Sequence, residues 1–280
     1  MIRPTGFNVL PPVIKNLLII NGLFFLATII FQSRLHIDLI DIFGLKIPLA
    51  PDFEPYQIIT YMFMHGGFGH LFFNMFALWM FGNVLENHWG PKRFIIYYLV
   101  TGIGAAATHY LVLYYVELAP TINAVNAFLD SPSNEAFLQF VNSEHFKITS
   151  TEIMNNFNEF RPKYNSLLQQ GETYDALNKA VRFAAEYKMN FYNAPNVVGA
   201  SGSVFGLLLA FGMLFPNQVI YLYFAIPIKA KYFVILYGGI SLYAGFADKA
   251  TNVAHFAHLG GMIFGFILIM LWKKRQNYFD

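Results

Sequence analysis

Apolar runs close to 20 residues long recur along this chain, and no other feature constrains its fold as tightly. A helix of about 20 residues matches the ~30 Å hydrocarbon core of a bilayer. Only helices and closed barrels satisfy their backbone polar groups in that medium. The runs are continuous rather than alternating, which excludes a β-barrel. Charged residues make up 12% of the chain, against about a quarter in soluble domains. An all-α polytopic membrane protein is therefore expected, with spans at 13–31, 67–85, 94–116, 199–215, 232–246 and 255–272. The run 221–228, flanked by Pro216 and Pro227, is too short to cross and reads as an interfacial connector.

Six spans place both termini on one side. With the termini inside, the inner flanks hold Arg3, Lys15, Lys92, Arg93, Lys229, Lys231, Lys273, Lys274 and Arg275, while the short outer loops hold Arg34, Lys46 and Lys249. That asymmetry follows the positive-inside rule and puts the start of the fourth span near the outer face. No small-residue cleavage site follows the first apolar segment, so that segment is expected to stay as a helix. The lack of a transit peptide leans towards a bacterial inner membrane. There is no cysteine, which removes disulfides and thiolate catalysis from consideration. A formal charge of +2 gives no indication of nucleic-acid binding.

Two outer segments interrupt the spans. Residues 32–65 are semi-apolar and suited to lying half in the interface. Residues 117–196 are polar, Asn-rich and slightly acidic, with helical patterning around Glu135–Val141 and Tyr174–Tyr187. The expected organisation is membrane portions at 1–116 and 197–280, separated by an extracytoplasmic insert at 117–196. A small helical subdomain and a long flexible insert are both compatible with that composition.

Ionisable and amide side chains inside spans are expensive and mark function. His70 and Asn74 are four apart on the second span, and so share one helix face. On the sixth span His258, Gly261 and Gly265 line one stripe. On the fourth, Gly199, Gly202, Ser203 and Gly206 offer a low surface beside Ser201 on which another helix can lie close. Packing these two faces together brings His258 beside Ser201, a general base beside a nucleophile. His70 and Asn74 supply donors of the kind an oxyanion needs. No intramembrane Asp or Glu stands as a third partner, so a dyad is expected. Zinc is set aside, because His65 and His70 fall on different sides of a regular helix and no zincin pattern is present. Neither a cofactor nor a metal is expected.

These residues resemble the rhomboid family of intramembrane serine proteases. The likeness rests on Phe53–Gln57 leading to His65, His70 and Asn74, then on Leu85–Gly90, Gly199–Gly202 and His258–Gly261 with Gly265. It implies a six-transmembrane-helix bundle with an outward cavity, broken by the large insert between the third and fourth helices. It assigns Ser201 as nucleophile and His258, not His255, as base. It places His70, Asn74 and the Ser201 backbone amide around the oxyanion, with Phe205 stacked on the catalytic histidine and Gly202 and Gly261 packed beside the site. The first outer loop would be the family's interfacial loop, and the connector 245–253 the cap over the site.

The function so implied is an intramembrane serine endopeptidase acting on transmembrane protein substrates within the lipid bilayer. The alternative is a catalytically silent relative that binds transmembrane helices. A transporter would carry related halves and midplane charges, and neither is visible. Oligomeric state is not legible in the sequence.

Overall fold

The computed structural model describes residues 8–222, 225–247 and 255–276. The cap expected at 245–253 therefore lies outside the described residues beyond Ala247, as do Arg3 and Lys249. In chain order the helices are α1 (Pro12–Ile30), α2 (Leu39–Phe43), α3 (Gln57–Thr60), α4 (Phe68–Ala77), α5 (Asn83–Trp89), α6 (Pro91–Leu113) and α7 (Ala119–Asp130). They continue with α8 (Asn134–Val141), α9 (Thr151–Gln169), α10 (Thr173–Asn193), α11 (Ser201–Leu214), α12 (Ala230–Ala247) and α13 (His255–Gln276). Strands β1 (Val219–Leu222) and β2 (Ile226–Lys229) form an antiparallel hairpin between α11 and α12.

Among the described residues, four helical stretches are long and apolar enough to cross a membrane: Pro12–Leu35, Phe68–Trp89, Pro91–Asp130 and His255–Lys273. The protein is thus mostly helical and membrane-embedded. At 14 residues, α11 is shorter, about 21 Å at the usual rise. The third stretch does not stop at Val116. It runs on to Asp130 through a π-helical turn, Tyr114–Leu118. Pro120 follows that turn; a proline has no amide to donate and crowds the preceding turn, and the wider π turn accommodates it. A second π turn, Leu78–Gly82, joins α4 to α5.

The chain forms two compact units. The first comprises residues 1–45, 56–109 and 197–280. At one end of it Glu86, buried on α5, accepts the amides of Val13 and Ile14 at 3.0 and 2.9 Å, so a remote carboxylate satisfies the first turn of α1. Asn8 and Asn87 exchange two further bonds there. In the middle, α6, α11 and α13 approach through small residues and tyrosine hydroxyls. Tyr97 donates to the Gly206 carbonyl at 2.8 Å, Ser203 to that of Tyr98 at 2.7 Å, and Tyr61 to that of Gly102 at 2.7 Å. Each bond spares a polar group from hydrocarbon without inserting bulk.

The second unit comprises 46–55 and 110–196. Its core is aromatic: Phe137 meets Phe128, Phe160, Tyr164 and Phe183, while Phe160 stacks on Phe183 at 4.3 Å. Ser133 and Ser150 cap α8 and α9 through the amides of Ala136 and Ile153. Asn193, closing α10, accepts the Asp52 amide at 3.2 Å, and buried Lys46 pairs with Asp52 at 3.5 Å.

Candidate active site

Ser201 is the first residue of α11, and Gly199 just before it adopts φ +112, a conformation that glycine reaches without strain. The Gly199 amide donates to the Tyr61 carbonyl at 2.9 Å, which anchors the approach to the helix. The first amides of a helix have no intrahelical acceptor, so the Ser201 N–H is presented at the positive end of the helix dipole.

His258 lies in the first turn of α13, and its Nε2 is 3.1 Å from Ser201 Oγ. Its Nδ1 has no hydrogen-bond partner among the described residues, so no carboxylate extends the pair. One contact holds the imidazole and another sets how closely its helix approaches α11. Phe205, one turn beyond Ser201, stacks on it with centroids 4.0 Å apart and planes 6° apart. Behind it, Gly261 lies on the Gly202 carbonyl so closely that a Cβ there would overlap the oxygen. The Cβ-free contact is what lets α13 approach α11 within reach of the serine.

His70 and Asn74 lie on α4. A Cβ on Gly199 would stand 2.7 Å from His70 Nε2, so that nitrogen faces the turn preceding Ser201. The Gly66 amide points at His70 Nδ1 at 3.4 Å, which leaves the ring proton on Nε2. Asn74 is buried and donates one amide hydrogen to the His70 carbonyl at 2.9 Å, leaving its second hydrogen. His65 sits edge-on to His70 at 5.0 Å, and His255 edge-on to His258 at 6.0 Å. Among the described residues no three or more histidine, aspartate or glutamate side chains come together as a metal site would require.

The structure thus brings Ser201, His258, Phe205, Gly202 and Gly261 into one cluster, with His70 against the turn that leads into it. Sequence reasoning left out the contribution of α6. Gly202 faces Ala105, Gly206 faces Thr101, and Gly260 faces Thr108. Their small side chains at positions 101, 105 and 108 are the available signal. Tyr237 on α12 was also missed; it lies 5.7 Å from Phe205.

A rhomboid domain model matches residues 52–126 and 177–275 of this chain. An uncharacterized mitochondrial rhomboid protein of Schizosaccharomyces pombe is 25% identical over 234 residues, covering 80% of this chain and 53% of that protein. Rhomboid-like protein 11, chloroplastic, of Arabidopsis thaliana is 34% identical over 95 residues, covering 33% of this chain and 34% of its own length. Rhomboid protease GluP of Bacillus subtilis is 40% identical over 50 residues, covering 18% of this chain and 10% of its own. The chain therefore spans at most about half the length of these relatives. The domain match takes in well over half of the residues, including every member of the cluster around Ser201, and on that ground the chain belongs to the rhomboid family.

Proposed function

We propose that the protein is an intramembrane serine endopeptidase that cleaves transmembrane protein substrates with a Ser201–His258 dyad. The observation that carries this reading is the 3.1 Å approach of His258 Nε2 to Ser201 Oγ, with Phe205 stacked on the imidazole. His258 Nε2 takes the hydroxyl proton as Oγ bonds to the scissile carbonyl carbon. The carbonyl oxygen becomes an oxyanion, for which the Ser201 amide, His70 Nε2–H and the second Asn74 hydrogen are the donors. The tetrahedral intermediate collapses as the C–N bond breaks and His258 returns its proton to the departing amine. Water, deprotonated by the same imidazole, then hydrolyses the acyl-enzyme. No cofactor or metal takes part.

In this reading the membrane portion has six spans, with α11 and α12 joining the four longer ones. Residues 117–196 form an extracytoplasmic insert, and both termini are cytoplasmic. The relatives bear mitochondrial, chloroplastic and bacterial names, so they lend no weight to a bacterial inner membrane over an organellar one. The presence of both dyad members within hydrogen-bond reach supports the catalytic reading over the alternative of a silent helix-binding relative.

The test is cleavage of a transmembrane reporter by purified protein in detergent. Ser201→Ala and His258→Ala should each abolish cutting, with folding retained. Cutting that survives Ser201→Ala overturns the mechanism.

A further inference from the structure

The end of the first unit remote from Ser201 is closed by side chains from several helix termini. Trp89, ending α5, meets Trp272 of α13 edge to face at 5.5 Å. Its neighbour His88 meets Phe215, just past α11, at 5.4 Å. Glu86 reaches the start of α1. The β1–β2 hairpin joins the same end, with the Ala230 and Lys231 amides donating to the carbonyls of Gln218 and Pro216.

Around this end stand Lys15, Lys92, Arg93, Lys229, Lys231 and Lys273, all exposed except half-buried Lys231. None has a carboxylate within ion-pair distance among the described residues. Arg93 lies over Trp272 at 5.7 Å and Lys231 over Tyr232 at 5.1 Å, contacts that position a cation without neutralising it. Glu86 is buried and already engaged by the amides of α1, so it does not offset the charge.

The hairpin adds an apolar component. Val219 and Tyr221, 41% and 63% exposed, share one hairpin face with exposed Lys229, the cross-strand partner of Val219. An isolated two-stranded hairpin is marginal in water, and its free edges carry unpaired amides. The exposed apolar surface of α12 and α13 continues through Ile235, Met270 and Leu271. Apolar side chains interleaved with unpaired cations and tryptophans suit a membrane interface, whereas a nucleic acid or an acidic protein would leave the apolar groups unmatched.

We propose that this end of the bundle is a binding surface for acidic phospholipids. Val219 and Tyr221, on the hairpin face that also carries Lys229, enter the upper acyl region while Lys229, Lys231 and Lys273 hold the headgroup phosphates. The attraction is electrostatic and falls with ionic strength. It does not depend on the reaction at Ser201.

The experiment uses the full chain in a neutral detergent mixed with equal amounts of phosphatidylglycerol and phosphatidylcholine, with retained lipid counted by native mass spectrometry. Several-fold enrichment of phosphatidylglycerol is expected. It should fall towards parity in the triple variant Lys229→Gln, Lys231→Gln, Lys273→Gln, and persist in Lys163→Gln, Lys179→Gln. In the unmodified protein the enrichment should also decline as salt is raised, a readout that stands if the triple variant fails to fold. Equal retention of the two lipids, enrichment that survives the triple substitution, or enrichment insensitive to salt overturns the proposal.

Discussion

Gly261 and Gly202 meet backbone to backbone, and a Cβ on Gly261 would overlap the Gly202 carbonyl oxygen. The oxygen belongs to a helix backbone and has little freedom to move. Gly261→Ala must therefore push α13 away from α11 and stretch the 3.1 Å bond between His258 and Ser201. A displacement of 1 Å at a reacting pair costs about a hundredfold in rate. We expect a loss of that order in reporter cleavage, with the protein still eluting as a folded species. Unchanged cleavage would show that the close contact does not set the geometry of the dyad.

Phe205 offers a separate lever on the same imidazole. Its ring lies 4.0 Å from that of His258 and nearly parallel to it. Phe205→Tyr keeps the stack and should cleave within a few-fold of the unmodified protein. Phe205→Ala leaves the ring unsupported and should lower kcat by about tenfold, since an aromatic contact of this kind contributes about 0.5–1.5 kcal/mol. If it is KM that rises while kcat holds, Phe205 acts on substrate binding instead.

The proximity of Ser201 to His258 is legible in the sequence because helical periodicity and side-chain size carry it. Gly202 on one span and Gly261 on another are places where two backbones can touch, and His258 shares a stripe with Gly261. Periodicity does not say which third helix fills the remaining side. Thr101, Ala105 and Thr108 lie against Gly206, Gly202 and Gly260, yet within α6 they read as ordinary small residues. The helix α9 is harder to read: Ile153, Phe157, Phe160, Tyr164 and Leu167 recur at helical spacing, but most of the intervening residues are polar and Pro162, a residue that normally breaks a helix, lies inside it. Nor does sequence foretell the π turn at Tyr114–Leu118, through which the third stretch continues past Val116.

Glu86 shows how much a single buried carboxylate holds in place. It accepts two amides at the start of α1 and is itself 2% exposed. Glu86→Ala leaves both amides without an acceptor, and each buried unsatisfied group costs about 1–3 kcal/mol. Thermal unfolding in detergent should shift down markedly. Glu86→Gln, which retains one acceptor oxygen, should fall between the two. A variant with Ala that unfolds at the original temperature would mean that water reaches this helix end.

Tyr187 gives the second unit a dependence on alkaline pH. Its hydroxyl donates to the Lys147 carbonyl at 2.9 Å and accepts from the Lys147 amide at 3.0 Å. Burial pushes its pKa up from 10.0 to about 12, with the Lys147 bond pulling the other way. A raised folded-state pKa means that stability is fully present below the unfolded value. Between pH 10 and about 12 the unfolded chain releases a proton that the folded unit still holds, so stability falls as pH rises. Tyr187→Phe removes both the bond and the titration. Denaturant unfolding at neutral pH should show it less stable by about 1 kcal/mol. The gap should narrow as pH climbs through that window, because only the unmodified protein loses this contribution there. Two curves that decline in parallel would place the alkaline sensitivity elsewhere, with Tyr164, whose pKa burial also raises, the next side chain to replace.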